Sequence, residues 1–188
     1  MEDWKPATYD QVIFAFLRAE AYRLKGGGIE LSDDERKCLA APDLKNDEEN
    51  ETRRVLVLDR LGRSGILGNL PADTIWHEAS LRESDLYTNV YVIFDKHWLT
   101  LAAHRFRSLD APDNWAHMIL WAHSKEGPFT ILEGNTRLTQ AAAAYRSGDL
   151  RLPVYVGLSK SFFPWHTPDQ LGLCVHLPGE KRAPNDRS

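Results

Sequence analysis

The chain has 188 residues, 43% of them hydrophobic, which is enough apolar side chain for a single core. Its 23 lysines and arginines stand against 27 aspartates and glutamates, so the formal net charge is −4. The field of the whole chain therefore repels a polyanion such as DNA, and any nucleic-acid contact must come from a local basic patch.

Cysteine content and hydropathy argue against three further classes: disulfide-stabilised, zinc-binding and membrane-spanning proteins. Cys38 and Cys174 are far apart and lack metal-ligand spacing, which argues against a disulfide framework and against a zinc site. The first residues are charged and form no apolar signal segment, and no apolar stretch approaches the ~20 residues of a membrane span. We expect a cytoplasmic protein without membrane insertion.

Two helices are predicted near the N-terminus. Thr8-x-x-Gln11 is a capping-box pattern ahead of apolar residues at helical spacing, and it predicts an amphipathic helix over residues 9–24. Ser32-x-x-Glu35 repeats the pattern and predicts a second, shorter helix.

The middle of the chain has mixed character. The second helix must stop near Pro42, and the charged stretch 45–51 is interpreted as a loop. Apolar runs and alternation predict strands at residues 54–59, 75–79 and 91–94, helical character at 97–106, and either a strand or a buried helical turn at 117–123.

A strand, a turn and a helix follow in close succession. Residues 129–132 form a short apolar run, Glu133-Gly134-Asn135 reads as a turn, and apolar residues then recur at i, i+3, i+4 and i+7 from Leu138. Residues 152–156 return as a strand. We expect a β-helix-β unit of about thirty residues, the length typical of this motif.

The turn of this unit combines groups that suit a phosphate. Gly134 lets backbone N–H groups approach an anion, and the N-terminus of the following helix adds unpaired donors and a partial positive charge. Asn135 or Thr136 can cap that helix, whereas Arg137 in its first turn calls for a compensating anion. Glu133, beside the same turn, can hold a divalent metal or orient a water. An ordinary turn with a capping hydroxyl and a solvated Glu133–Arg137 pair explains the same residues equally well.

Residues 129–158 resemble the core motif of the ParB/sulfiredoxin superfamily, in which a strand leads through a Gly-x-x-Arg turn into an Ala-rich helix and then a Pro-Val strand. The resemblance implies that Gly134, Asn135, Thr136 and Arg137 bind the phosphates of a nucleotide or another phosphate, with Arg137 matching the family arginine. It also implies that Glu133 and Arg137 are catalytic, with Glu133 as the metal ligand and ATP and Mg²⁺ as cofactors.

The chain also departs from parts of this superfamily. Sulfiredoxins carry a catalytic cysteine between the glycine and the arginine, where this chain has Asn135 and Thr136, so sulfinic-acid repair is not expected. Chromosome-partitioning members add a Glu-Arg-Arg motif and a DNA-reading helix-turn-helix, which are not seen here. Closer in size are free-serine kinases, ParB-like DNases with ATPase activity, and plasmid fertility-inhibition proteins of the oncogenic-suppressive-activity type.

Residues outside the turn complete the predicted site. Ser159 and Lys160 follow the Pro-Val strand, at the strand end where ligands gather in open α/β sheets, and residues 163–166 are a candidate lid. Four arginines are the predicted DNA contacts, although solvated surface charge explains them equally well: Arg53, Arg54, Arg105 and Arg107.

These predictions define a fold and two competing functions. We expect an α+β fold with a small mixed sheet of ParB/sulfiredoxin type, made of a helical segment at 1–52, a main domain at 53–177 and a polar tail at 178–188. The first function is an ATPase and metal-assisted DNase that acts on DNA and inhibits plasmid fertility. The second is a non-catalytic protein that occludes DNA or a component of a conjugative secretion system. A kinase for a serine-type small molecule uses the chemistry of the first with another acceptor.

Overall fold

The fold is a mixed β-sheet with helices packed on it, in agreement with the predicted α+β class. A computed structural model describes residues 1–26, 29–40, 43–82, 84–85, 90–91, 116–134, 137 and 151–161. The helices are α1 (Tyr9–Gly26), α2 (Asp33–Ala40) and α3 (Asp47–Val55), and the strands are β1 (Glu2–Pro6), β2 (Ile75–Arg82), β3 (Val90–Tyr91), β4 (Met118–Ala122), β5 (Phe129–Glu133) and β6 (Arg151–Leu158).

Both predicted capping boxes form, and both helices are confirmed. The backbone N–H of Thr8 donates to Gln11 Oε1 at 2.7 Å, and the N–H of Gln11 donates to Thr8 Oγ1 at 3.2 Å. Ser32 and Glu35 repeat this reciprocal pair at 2.7 and 3.2 Å. Each box satisfies helix N-terminal donors that would otherwise lack a partner, so α1 and α2 begin where the local sequence indicates.

Helix α3 occupies the region that the sequence predicted to be a loop and then a strand, so both predictions are wrong. Asn46 caps the helix, because its Oδ1 accepts from the N–H groups of Glu48 and Glu49 at 3.1 and 3.2 Å. The apolar run beyond residue 54 continues as a π-helical segment, Leu56–Arg60, and a second one follows at Ser64–Gly68. A short apolar run fits a buried strand and a buried helical turn equally well, and here packing decides for the helix.

Arg53 is a structural residue of α3. Its side chain is 1% exposed. Nε donates to the carbonyl of Cys38 at 3.2 Å, Nη1 to Asn50 Oδ1 at 2.6 Å, and Nη2 to Glu49 Oε2 at 2.7 Å. With its donors directed at protein groups, the Arg53 guanidinium has no surface left for a DNA phosphate.

The six strands have the order β1-β2-β6-β4-β5-β3. Strand β1 was not predicted; it pairs antiparallel with β2, so the N-terminal segment contributes to the sheet as well as to the helical layer. The predicted strands at 75–79, 129–132 and 152–156 are confirmed as β2, β5 and β6, and the ambiguous stretch 117–123 contains β4.

Strands β5 and β6 are not a parallel pair. Strand β4 lies between them, antiparallel to β5 and parallel to β6. The C-terminal ends of β5 and β6 therefore lie at opposite ends of the sheet, unlike those of a parallel β-helix-β unit.

One core lies between the helices and the sheet. It joins apolar residues of α1, such as Ile13 and Leu17, to Ile119 and Trp121 of β4 and to Tyr155 of β6. The alternate residues of β4 and β6 are buried as well, which matches their nearly unbroken apolar sequences.

Several predictions fall wholly or partly outside the described residues. They are the strand at 91–94 beyond Tyr91, the helix at 97–106, the helix that follows Arg137, Cys174, the lid at 163–166 and the tail at 178–188. Within the described part of the chain, none of the helices has the length and hydrophobicity needed to span a membrane. Cys38 is a buried free cysteine.

Replacing Arg53 by Ala should lower the free energy of unfolding by about 3–5 kcal/mol, because buried carboxylate and carbonyl acceptors lose their partner. Arg36→Ala is the matched control, since Arg36 forms an exposed pair with Asp33 and should change stability by less than about 1 kcal/mol. Urea denaturation measures both. Equal stability of the two variants would contradict the structural role of Arg53.

The capping carboxylate of α2 should make stability depend on pH. The hydrogen bond from Arg60 holds the pKa of Glu35 below its ordinary value of 4.5, although burial opposes this. A lowered folded-state pKa means that the stabilisation is present above 4.5 and is lost as the pH falls through the folded-state pKa. Glu35→Gln should therefore destabilise the protein at about pH 7 and much less at about pH 3, measured by urea unfolding. The same difference in an Arg60→Met background would show that another partner is responsible.

Candidate functional site

The turn after β5 depends on the absence of a side chain at Gly134. Its φ is +106°, and a Cβ there would lie 2.5 Å from Met118 Cγ and 2.9 Å from Met118 Cβ. Gly134 is also buried. The glycine thus lets the end of β5 pack directly on β4, a structural reason for this residue that holds with or without a ligand.

Arg137 folds back over this turn and is not solvated as the sequence suggested. Its Nη1 donates to the carbonyl of Ala116, and its Nη2 lies 3.5 Å from Glu133 Oε1. The side chains of Arg137 and Glu133 are only 17% and 23% exposed. The predicted pair therefore exists, but it is a mostly buried ion pair at the end of the sheet.

Burial shifts the pKa of both Glu133 and Arg137. Desolvation raises the pKa of Glu133, and the positive charges of Arg137 and Arg63 oppose that shift while the negative charge of Glu20 adds to it. Desolvation likewise lowers the pKa of Arg137, and Glu133 opposes this. Two carboxylates and two guanidinium groups thus influence one another in a region of low solvation.

Two donor atoms of this cluster lack a hydrogen-bond partner among the described residues. They are Arg137 Nη2 and Arg63 Nε, both of which are buried. Arg63 also lies over the ring of Phe16, with its Cζ 5.7 Å from the ring centroid. Buried donors without acceptors are costly, and a phosphate oxygen is an acceptor that arginine binds well.

The carboxylates near this turn fit a Mg²⁺ ion that is also bound by nucleotide phosphates better than a metal ion held by protein groups alone. Within the described chain, His, Cys, Asp and Glu do not gather in any group of three or more that could hold a metal ion. Glu133, with Glu20 near it, supplies two carboxylates, and Mg²⁺ commonly takes one or two carboxylates together with substrate phosphates and water.

Ser159 and Lys160 lie away from this turn. Glu133 pairs with Ile119 near the start of β4, whereas the N–H of Ser159 donates to Ala122 at its end, about 10 Å along the strand. Their donors bind Asp73 instead: Ser159 Oγ donates to Oδ1 at 2.6 Å, and the Lys160 N–H donates to Oδ2 at 2.9 Å. The structure does not bring these two residues into the predicted nucleotide site.

The structure describes two of the predicted DNA contacts, Arg53 and Arg54, and protein groups engage both. Arg53 is buried, and Arg54 is held by Asp10 through Nε and Nη2, both at 2.8 Å. A further hydrogen bond joins Arg54 Nη1 to Glu51 at 3.0 Å. The remaining predicted residues, Arg105, Arg107, Asn135 and Thr136, lie outside the described residues.

The prediction did not include a histidine–carboxylate pair next to Arg137. His117 Nε2 lies 2.8 Å from Glu78 Oε1, and the imidazole stacks on Tyr155 with ring centroids 4.4 Å apart. His117 directly follows Ala116, the residue whose carbonyl accepts from Arg137. The sequence signal for this histidine was its spacing of two and four residues from Ile119 and Trp121, which puts all three side chains on the same face of a strand.

An open cleft of about 610 Å³ lies beside this pair. It runs over the N-terminal part of β6 and is bordered by β1, β2 and α1. Residues with hydrogen-bonding or charged groups and one indole line it: Asp3, Trp4, Lys5, Arg18, Glu78, Ser80, His117 and Arg151.

Substituting Gly134 by Ala should cost about 2–5 kcal/mol of folding free energy, because the new methyl group adds a clash with Met118 to backbone strain. Substitutions at two other glycines measure the backbone strain and the clash separately. Gly62 has φ +65° but open space around it, so Gly62→Ala should cost about 1–2 kcal/mol. Gly68 has room at ordinary contact distance, so Gly68→Ala should be neutral or stabilising by up to about 1 kcal/mol. Thermal and urea unfolding test this order, and a Gly134→Ala variant as stable as Gly68→Ala would contradict it.

No protein-family model, curated protein or solved structure matches this chain. The resemblance of residues 129–158 to the ParB/sulfiredoxin superfamily therefore stays a prediction from the residues themselves.

Proposed function

We propose that this chain is a nucleotide-binding protein of the phosphoryl-transfer class, with the ATPase and metal-assisted DNase activity of ParB/sulfiredoxin-type proteins. The observation that carries the proposal is the buried Nη2 of Arg137 beside the Gly134 turn, which lies 3.5 Å from Glu133 Oε1 but makes no hydrogen bond with a described residue. An arginine that is held on a carbonyl through one nitrogen, and whose other terminal nitrogen makes no hydrogen bond within the described part of the chain, is suited to bind a phosphate oxygen.

In this proposal each site residue has a role that its position supports. Arg137 contacts the phosphate and stabilises the charge that develops on it, with Arg63 as a second cation nearby. Glu133 orients Arg137 and, with Glu20, holds the Mg²⁺ that accompanies the nucleotide. The metal, when bound, neutralises phosphate charge and lowers the pKa of a bound water.

Low solvation makes this arrangement effective. Charge interactions are stronger where water is excluded, so a phosphate gains more from Arg137 here than from an exposed arginine. The cost falls on Glu133, whose carboxylate repels the phosphate unless a metal or a proton compensates its charge. The raised pKa of Glu133 is consistent with this unfavourable position for an uncompensated carboxylate.

DNA as a substrate, and inhibition of plasmid fertility through a conjugative secretion system, are proposed from the family resemblance. Arg53 and Arg54 do not support a DNA surface, because protein acceptors engage both. Arg105 and Arg107 stay predictions.

A non-catalytic binding protein is the second candidate, and the ion pair itself favours it. Arg137 and Glu133 partly neutralise one another, as a retained binding pocket without turnover would allow. A serine-type kinase would use the same phosphate site with another acceptor.

Glu133→Gln separates the two candidates. Gln keeps the size and an acceptor for Arg137 but removes the charge, so ATP should still bind. Hydrolysis in Mg²⁺ should fall about 100-fold or more if Glu133 acts in the transition state. Calorimetric titration and phosphate release measure the two quantities. In Arg137→Gln, ATP affinity should fall about tenfold or more, because a charge-assisted contact is lost.

Arg36→Gln is the control for loss of one positive charge far from the turn, and each variant is compared at a temperature where circular dichroism shows it folded. Unchanged ATP affinity in Arg137→Gln would refute the phosphate assignment. A wild-type protein that binds ATP without hydrolysing it would favour the non-catalytic candidate.

A further inference from the structure

Three basic side chains, Lys5, Arg18 and Arg151, line the cleft beside His117, against two acidic ones, Asp3 and Glu78. Lys5 and Arg18 both line it, both are exposed, and neither forms an ion pair with a carboxylate among the described residues. Arg151 also lines the cleft and pairs with Glu2 at the surface. Basic side chains along a groove suit a ligand with repeated phosphates.

An aromatic ring borders the same cleft. Trp4 lines it, packs edge-on against His77 with ring centroids 5.6 Å apart, and has Lys125 Nζ 4.9 Å from its ring centroid. Indole rings stack on unpaired bases irrespective of sequence, and cations next to them reach the backbone phosphates. Trp4, Lys5 and Arg18 together therefore fit a single-stranded polynucleotide better than a small anion.

The histidine in this cleft is oriented by a carboxylate. Glu78 accepts a hydrogen bond from His117 Nε2 at 2.8 Å, and stacking on Tyr155 fixes the plane of the ring. When Nε2 donates, Nδ1 of the neutral ring carries the lone pair and can accept a proton. Glu78 is thus a positioning residue and His117 a base of defined tautomer.

The position of His117 relative to Arg137 links the cleft to the turn. Two consecutive residues connect them. The carbonyl of Ala116 accepts a hydrogen bond from Arg137, and the imidazole of the next residue, His117, contacts Glu78. Glu133 pairs with Ile119 two residues further along β4. The phosphate-binding turn and the cleft therefore lie side by side at one end of the sheet.

We propose that this cleft binds single-stranded polynucleotide through Trp4, Lys5 and Arg18, and that His117, oriented by Glu78, is the general base for its hydrolysis. The first part is independent of the proposed function, whereas the second rests on the DNase activity proposed above. The cleft replaces the predicted surface around Arg53 and Arg54 as the nucleic-acid site.

The hydrolytic step needs water as its only co-reactant. The oxygen of a water molecule forms a bond to the phosphodiester phosphorus, its proton passes to His117 Nδ1, and the bond from phosphorus to the leaving sugar oxygen breaks. That oxygen keeps the electron pair and takes a proton from solvent. The products are a phosphomonoester end and a hydroxyl end.

Fluorescence anisotropy with a labelled single-stranded oligonucleotide tests the binding part. The double variant Lys5→Ala/Arg18→Ala should bind about tenfold more weakly, and the slope of log affinity against log salt should fall by about 1.4, the value for two lost single-strand phosphate contacts. Lys37→Ala/Lys45→Ala removes the same charge from exposed positions that do not line the cleft and should leave the slope unchanged. Equal slopes for the two double variants would overturn the cleft as the binding site, and tighter binding of an inorganic-phosphate competitor than of the oligonucleotide would overturn the polynucleotide.

Cleavage of the same oligonucleotide in Mg²⁺ tests the base. His117→Gln should keep oligonucleotide and ATP affinity within about twofold but lose about 100-fold in cleavage rate, the usual contribution of a general base. His123→Gln is the control and should cleave normally, because His123 is exposed and lies just beyond the C-terminal end of β4. Added imidazole should restore cleavage in His117→Ala, and Glu78→Gln should lower the cleavage rate without weakening oligonucleotide binding.

The outcomes separate this inference from the proposed function. Wild-type cleavage with full activity in His117→Gln, or a folded His117→Ala variant that imidazole does not rescue, would overturn the base while leaving ATP binding at Arg137 intact. Loss of ATP binding in Arg137→Gln with normal oligonucleotide binding would support two adjacent sites. An oligonucleotide that binds without being cleaved by the wild type would overturn the base and retain the cleft.

Discussion

The pairing of β4 with β6 on one side and with β5 on the other determines where Glu133, Arg137, His117 and Ser159 lie. Met118 to Ala122 run beside Val154 to Leu158, and side chains of both strands are buried on both faces. Because β5 joins the opposite edge of β4 in the antiparallel sense, its C-terminal end lies next to the start of β4. This is why Glu133, Arg137 and His117 meet at one end of the sheet while Ser159 lies at the other. The prediction that Ser159 and Lys160 join the site assumed that β5 and β6 are parallel, so that their C-terminal ends would meet at one edge of the sheet. They run in opposite directions, and the two residues therefore lie at the other end.

Features set by neighbouring residues were predictable from the sequence, and features set by distant contacts were not. The capping boxes of α1 and α2 need only residues three apart, and both form. Helix α3 was missed because its stretch of charged residues resembles a loop. The glutamate in the third helical position after the Asn46 cap, Glu49, lies within that charged run, so it did not stand out as part of a capping box. Strand β1 was missed because Glu2–Pro6 has a partner only once β2 is in place.

The candidate site shows the same division. The Gly134 turn and the Glu133–Arg137 pair involve residues at most four positions apart, so both could be proposed from the sequence. Their burial depends on distant residues, Ala116 just before β4 and Met118 in it. The His117–Glu78 pair joins residues 39 positions apart and carries no local motif. Arg53 was misjudged for the opposite reason. A basic residue in a charged segment is usually solvated, and only the tertiary structure shows it enclosed by Cys38, Asn50 and Glu49.

The energetics of the Glu133–Arg137 pair explain why nucleotide and metal are expected to bind together in the proposed function. Removing two charges from water is costly, and the pair offsets this cost through a contact at 3.5 Å in which Arg137 Nη2 makes no hydrogen bond to a described residue. A phosphate alone would add an acceptor for Arg137 but would also place a second anion near Glu133. In the proposed function Glu133 and Glu20 would hold a divalent cation, which would remove that repulsion and leave the positive charge of Arg137 for the phosphate. Each ligand would then improve the site for the other, and such mutual dependence is the thermodynamic coupling expected when two ligands compensate one buried ion pair.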